Sequence, residues 1–252
     1  LAFALSSWQI KYGVLVYLEA VPALLAAAAL LLAERWWLDP AASRRPLIGA
    51  ALLLGATAAA KHPYALIAGP TIALAVAWQW RRPGGGPLRG PGGALLVAGV
   101  ALAAMVAFNP FMWDGPLESI RETIAFHLRY SQNDLVQSQG FAPWHNLRLL
   151  LKPMPYDPFF PFSLLNQLKL DGLIAVSGLL GLAALWRRSP PLALWLLLST
   201  LFLLAWPTKW PHYTELIFAP LSLSAGIGWA AAGGWLWERG KMWYSTGRDS
   251  HH

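Results

Sequence analysis

Residues 200–221, TLFLLAWPTKWPHYTELIFAPL, set Lys209, His212 and Glu215 between two apolar runs with the composition of lipid-buried helices. An ionisable side chain at the centre of a bilayer costs about 2.5–3.5 kcal/mol on insertion scales, so such residues pair with one another or mark a functional path. A second stretch, LLLGATAAAKHPYALIAGP at 52–70, repeats the pattern with Lys61 and His62 beside Pro63 and Tyr64. Two interruptions of the same composition ask for one shared explanation.

The chain has 252 residues, 56% of them hydrophobic and 12% charged, with a mean hydropathy of +0.44. Soluble domains carry about 25% charged residues, so this composition predicts an integral, multi-pass membrane protein. Fifteen tryptophans suit that class, because indole rings favour the boundary between hydrocarbon and headgroups. A formal charge of +7 suggests nucleic acid at first sight. The basic residues, however, are scattered at the ends of apolar runs instead of forming a stripe, and no nucleic-acid partner is expected. The lack of cysteine excludes disulfides and thiolate metal sites. The opening LAFALSSWQIKYG has neither the charged start nor the small-residue cleavage site of a signal peptide, and a fragment of a longer protein is expected. His251 and His252, in the polar tail RDSHH, are given no role.

Apolar runs fall at about 14–33, 47–60, 64–80, 94–112, 172–186, 191–206 and 214–237. Judged against the roughly 20 residues that cross hydrocarbon, they predict an all-α, polytopic transmembrane bundle of about seven segments with one long external loop. The expected regions are 1–112 and 171–241 in the membrane, 113–170 as the external interfacial segment, and 242–252 as a polar tail. Every arginine pair lies in the connectors ERWWLDPAASRRP, RRPGGGPLRGPGG and RRSPP, which the positive-inside rule places in the cytoplasm together with ERGKMWYSTGR. The polar cluster is then expected to face outward, and a bacterial-type plasma membrane is expected.

Within the external segment, PLESIRETIAFHLRYSQ starts on proline and carries acids early and bases late, as a helix dipole favours. Leu117, Ile120, Ile124, Phe126 and Leu128 give it an imperfect apolar face, predicting a helix on the membrane surface. FAPWHNLRLLLKPMPYDPFFPF, rich in proline and aromatics, predicts an interfacial loop with one short helix. The 47–60 run is only about 21 Å long against a core of about 30 Å. Lys61, His62 and Pro63 should therefore lie below the outer surface, where proline disfavours helix at His62 and the freed backbone groups call for a wet cavity.

On this topology Glu19, Lys61, His62, Asp114, His127, Arg129, Lys209, His212 and Glu215 converge on the outer side, with Tyr64 and Tyr213 beside them. Each has a plainer account. Lys61 and Lys209 can snorkel, the histidines can bond to backbone, His127 and Arg129 can line a wet helix face, and the tyrosines fit an aromatic belt. A glutamate with histidines can also hold a divalent metal. No short ligand spacing such as HExxH occurs, so metal stays a subordinate alternative and no cofactor is expected. Taken together, a lysine point charge, an arginine fork and a carboxylate at a headgroup-depth cavity suit a lipid-borne phosphate and the activation of an incoming hydroxyl.

Three blocks resemble the GT-C superfamily of polytopic glycosyltransferases, particularly its protein O-mannosyltransferase and aminoarabinose transferase branch. KYGVLVYLEAVPALLAAAALLLAERW is similar to the family's helix that opens on an acidic residue and closes on arginine. LIGAALLLGATAAAKHPYALIAGP looks like its Gly-rich helix followed by lysine, and TKWPHYTELIFAPLSLSAGIGW like its late block of lysine, aromatic pair and proline-containing helix. The resemblance implies sugar transfer from a polyprenyl- or dolichyl-phosphate donor to an acceptor lipid, glycan or protein. Glu19 would be the acidic site residue, and Lys61, Lys209 and Arg129 would meet the donor phosphate. It also implies that the loop holding the principal catalytic carboxylate lies upstream of residue 1. The competing class is a transporter or flippase of lipid-linked sugar, which can use the same broken helices without bond chemistry.

Overall fold

Prolines mark where the helices begin. Pro46, Pro63, Pro91, Pro116 and Pro190 each occupy a first or second helical position, where the missing N–H has no intrahelical partner to lose. The computed structural model describes residues 19–39, 43–81, 88, 90–152 and 170–248, with side chains as far as residue 237. Its helices are α1 (Ala20–Leu38), α2 (Arg45–Ala60), α3 (His62–Trp80), α4 (Pro91–Phe108), α5 (Pro116–Ser131), α6 (Asp134–Gln137), α7 (His145–Leu150), α8 (Leu170–Arg188), α9 (Pro190–Ala205) and α10 (Glu215–Arg248). Short 3₁₀ turns at Pro110–Met112 and Pro211–Thr214 complete it, and no strand occurs among the described residues. The all-α expectation therefore holds.

Four stretches have the length and apolarity of membrane crossings: α1, α4, α8 and Pro211–Trp237. Helices α2 and α9 are apolar but shorter. At 16 residues each they extend about 24 Å, some 6 Å less than a typical hydrocarbon core of about 30 Å. Outward faces keep Leu24, Leu95, Leu102 and Leu180 exposed, as contact with hydrocarbon requires, while Leu30, Leu47, Ile72, Leu196 and Phe218 close the interior. The expected run at 14–18, the loop part at 153–169, Arg82, Arg89 and the tail beyond 248 lie outside the described residues.

Two close approaches set the helix spacing. A Cβ on Gly55 of α2 would collide with the backbone of Ala101 on α4, and one on Gly181 of α8 would collide with the Ser224 carbonyl on α10. Glycine lets these backbones touch, the device that packs helices where apolar side chains gain nothing by leaving lipid. Pro220, inside α10, cannot donate to the Leu216 carbonyl four residues back. The Ser199 hydroxyl of α9 takes that place at 3.1 Å, so the proline's lost hydrogen bond becomes a cross-link between helices.

The bundle has two distinct ends. At one, Trp37, Trp78 and Trp186 form a ring chain with centroids 6.2 and 5.5 Å apart, and the Gln79 amide donates to the Trp37 carbonyl at 2.7 Å. Arg35, Arg44, Arg45, Arg81, Arg187 and Arg188 belong to helix termini at this end. The ends that carry Glu19, Lys61, Lys209 and His212 are the opposite ones.

Candidate functional site

Glu19, Lys61, His62 and His212 all sit at helix ends or in the turn between helices. Glu19 immediately precedes α1, and Lys61 is the single extended residue (φ −163°, ψ 116°) between α2 and α3. The break falls one residue earlier than the sequence predicts. His62 opens α3 with Pro63 behind it, because a proline in a first turn needs no donor and the chain can change direction at Lys61 instead.

The breaks meet. Glu19 is 1% exposed and its Oε1 forms an ion pair with Lys61 Nζ. His212 Nε2 of the Pro211–Thr214 turn lies 3.6 Å from the same oxygen. Lys61 Nζ also stands 6.0 Å from the centroid of the buried Tyr213 ring, within cation–π range. The second carboxylate oxygen, Glu19 Oε2, is buried with no hydrogen-bond partner among the described residues. Tyr64 Oη is buried too, facing the carboxylates of Glu19 and Glu215 without an aligned hydrogen bond. Glu215 is itself buried at the start of α10. A carboxylate fully removed from water with one oxygen unfilled is high in energy unless something donates to it.

Lys209 does something else. Its Nζ donates to the carbonyls of Leu203 at 2.5 Å and Leu204 at 2.9 Å, two of the acceptors left open where α9 ends. A cation there also complements the negative end of the helix dipole. Burial pulls the Lys209 ammonium below the ordinary lysine range. The residue thus holds the chain between α9 and the Pro211–Thr214 turn, which positions His212 and Tyr213.

His62 and His127 face each other with ring centroids 6.2 Å apart. His127 also lies 5.6 Å from Trp206, which lies 6.3 Å from Tyr213, so α5 is joined to the cluster through aromatic edges. Burial holds the His127 imidazole below its usual value of 6.5, favouring the neutral form. His145 on α7 is lowered likewise, by burial first and then by Arg148 and Lys209. Arg129 and Asp114 are exposed, and neither takes part in the ion pair or ring contacts that join the cluster.

Beside the cluster, His62, Asn109, Phe111 and one face of α5 line an open cleft of about 540 Å³. Ser119, Glu122, Thr123, Phe126 and His127 recur at i, i+3, i+4, i+7 and i+8, the spacing of one helical stripe. Leu117, Ile124 and Leu128 form the opposite stripe and are exposed. The sequence assigns Phe126 to that apolar stripe. It lines the cleft instead, since two residues of helix separate it from Leu128 by about 200°. Trp206, Asn109 and Glu122 are absent from the sequence-based site, although the stripe beginning at Ser119 was a signal that identifies Glu122. No group of three or more histidines, aspartates or glutamates has metal-site geometry among the described residues.

Comparison with protein-family models, curated proteins and solved structures gives no match to this chain.

Proposed function

We propose that this chain belongs to a membrane-embedded glycosyltransferase that moves a sugar from a polyprenyl- or dolichyl-phosphate carrier to a lipid, glycan or protein acceptor. In this reading α1 to α4 and α8 to α10 supply seven crossings of the plasma membrane, and the Glu19–Lys61 end faces outward. One observation carries it: Glu19 is buried, paired through Oε1 to a lysine at a helix break, with Oε2 unfilled among the described residues. A pair of that kind is poised to exchange partners.

Lys61 turns to the donor phosphate, a compact cation for a compact anion, and Glu19 is released to take the proton of an acceptor hydroxyl. The acceptor oxygen attacks the anomeric carbon, the carbon–phosphate oxygen bond breaks, its electron pair leaves with the lipid phosphate, and configuration inverts. His212 and Tyr213 wall the phosphate, Arg129 meets the headgroup on its approach, and Lys209 keeps the turn in place. The short helices α2 and α9 support a site recessed to headgroup depth, where the carrier's tail remains in hydrocarbon.

The test is sugar transfer from a radiolabelled polyprenyl-phosphate donor by the full protein in liposomes, with and without Glu19→Gln. Loss of a general base lowers the rate roughly 10²–10⁴-fold. Undiminished transfer removes Glu19 from the mechanism. Movement of the lipid-linked sugar across the bilayer without transfer replaces the enzyme with a flippase.

A further inference from the structure

The cleft under α5 differs chemically from the ion-pair cluster beside it. Its lining includes the Glu122 carboxylate and no lysine or arginine, so it disfavours the anion that Lys61 would attract. The side-chain amide of Asn109, the Glu122 carboxylate and the imidazoles of His62 and His127 make no hydrogen bond or ion pair among the described residues, which leaves amide, carboxylate and ring nitrogens open to a ligand. Between them these groups both donate and accept. The rings of Phe111 and Phe126 add apolar faces whose negative quadrupole attracts polarised C–H groups. At about 540 Å³ the cleft falls within the roughly 300–1,000 Å³ typical of small-molecule sites.

A ligand with hydroxyls around its rim, C–H bonds on its faces and no negative charge satisfies all of these groups at once. We propose that the cleft is a carbohydrate subsite for a neutral, polyhydroxylated ring, with Glu122 and Asn109 bonding its hydroxyls and Phe126 against its face. The saccharide chemistry follows from the cleft alone, while its place in a transfer reaction rests on the function proposed above. His62 follows Lys61 directly and lines the cleft, so a ring bound there lies next to the proposed phosphate position. Two sources share this chemistry: the sugar carried by the donor and a saccharide acceptor.

The experiment is saturation-transfer NMR of a panel of methyl glycosides against the full chain in lipid nanodiscs, beside Glu122→Ala, Glu122→Gln and Asn109→Ala. Glu122 is exposed, so its replacement leaves the fold intact. Binding of at least one glycoside is expected, weakened about tenfold or more by Glu122→Ala and by Asn109→Ala and less by Glu122→Gln. Displacement of that glycoside by polyprenyl-phosphate sugar but not by sugar-free polyprenyl phosphate assigns the cleft to the donor sugar. Retention in the presence of donor assigns it to the acceptor. If no glycoside binds, or Glu122→Ala binds as the parent does, the subsite is overturned. Polyprenyl-phosphate binding lost only with Lys61→Ala is scored separately, so the cleft and the donor assignment can fail independently.

Discussion

Replacing Lys61 by methionine tests the Glu19–Lys61 pair most directly, because the two partners differ in burial. The Glu19 side chain is 2% exposed and that of Lys61 is 23%. Removing the lysine leaves a carboxylate sealed from water, and breaking a buried pair in this way costs about 3–5 kcal/mol. The lower figure applies here, since water reaches the lysine end of the pair. At about 2–4 °C per kcal/mol for a chain of this size, Lys61→Met should melt about 6–12 °C below the parent. Glu19→Gln should do less, about 1 kcal/mol, because Lys61 can carry its ammonium outward along its stem. The double variant removes both charges and should return to within about 1 kcal/mol of the parent. Thermal unfolding of all four proteins in the same nanodiscs, followed by near-ultraviolet circular dichroism, closes the cycle. Equal losses in the two single variants that simply add in the double would refute a coupled, asymmetrically buried pair.

Lys209→Met should lower stability by about 2 kcal/mol, as expected when hydrogen bonds from a charged group to the Leu203 and Leu204 carbonyls are lost, yet leave polyprenyl-phosphate affinity of the folded fraction unchanged. A large loss of affinity at full folding, read by lipid-phosphate titration, would return Lys209 to the binding site. Gly181→Val should destabilise by about 1–3 kcal/mol or more through overpacking against the Ser224 carbonyl, whereas the same change at Gly99, where nothing lies within 4 Å, should have little effect in parallel melts. For His127, the folded protein stays neutral at pH values where the unfolded chain, near 6.5, takes up a proton. The unfolded state then holds more protons, so stability falls as pH drops below about 6.5 and levels off beneath the lowered folded value. Melting curves at about pH 7.5 and 5.5 should show a smaller pH-dependent loss in His127→Gln than in the parent, and identical losses would refute the assignment.

Helix positions were legible because apolar runs and N-terminal prolines are local signals. The helix at Pro116–Ser131 and the short helix at His145–Leu150 were legible for the same reason. Convergence of Glu19, Lys61, His62, His127, His212 and Tyr213 followed from topology alone, since alternating helices return their breaks to one end. What a side chain does at that end was not legible. Lys61 and Lys209 have matching surroundings in sequence, but Lys209 comes four residues after α9 ends, close enough to fold back onto its open carbonyls. Lys61, held extended between two helices, points across to Glu19 instead. A cavity beside His62 was legible from the proline break, but the part of its lining supplied by α5 was not, because the apolar residues of that helix do not share one face and its polar stripe lines the cleft.

Chain order gives the Glu19–Lys61 pair a consequence during synthesis. Both residues belong to the first described hairpin, α1 and α2, whereas His212 and Tyr213 follow about 150 residues later. At roughly 5–20 residues per second, the ribosome leaves the pair alone for about 8–30 s before its later partners emerge. A helical hairpin can therefore enter the bilayer with its two opposite charges already neutralising one another. His212 and Tyr213 are then fitted against a pair that the first hairpin has already assembled.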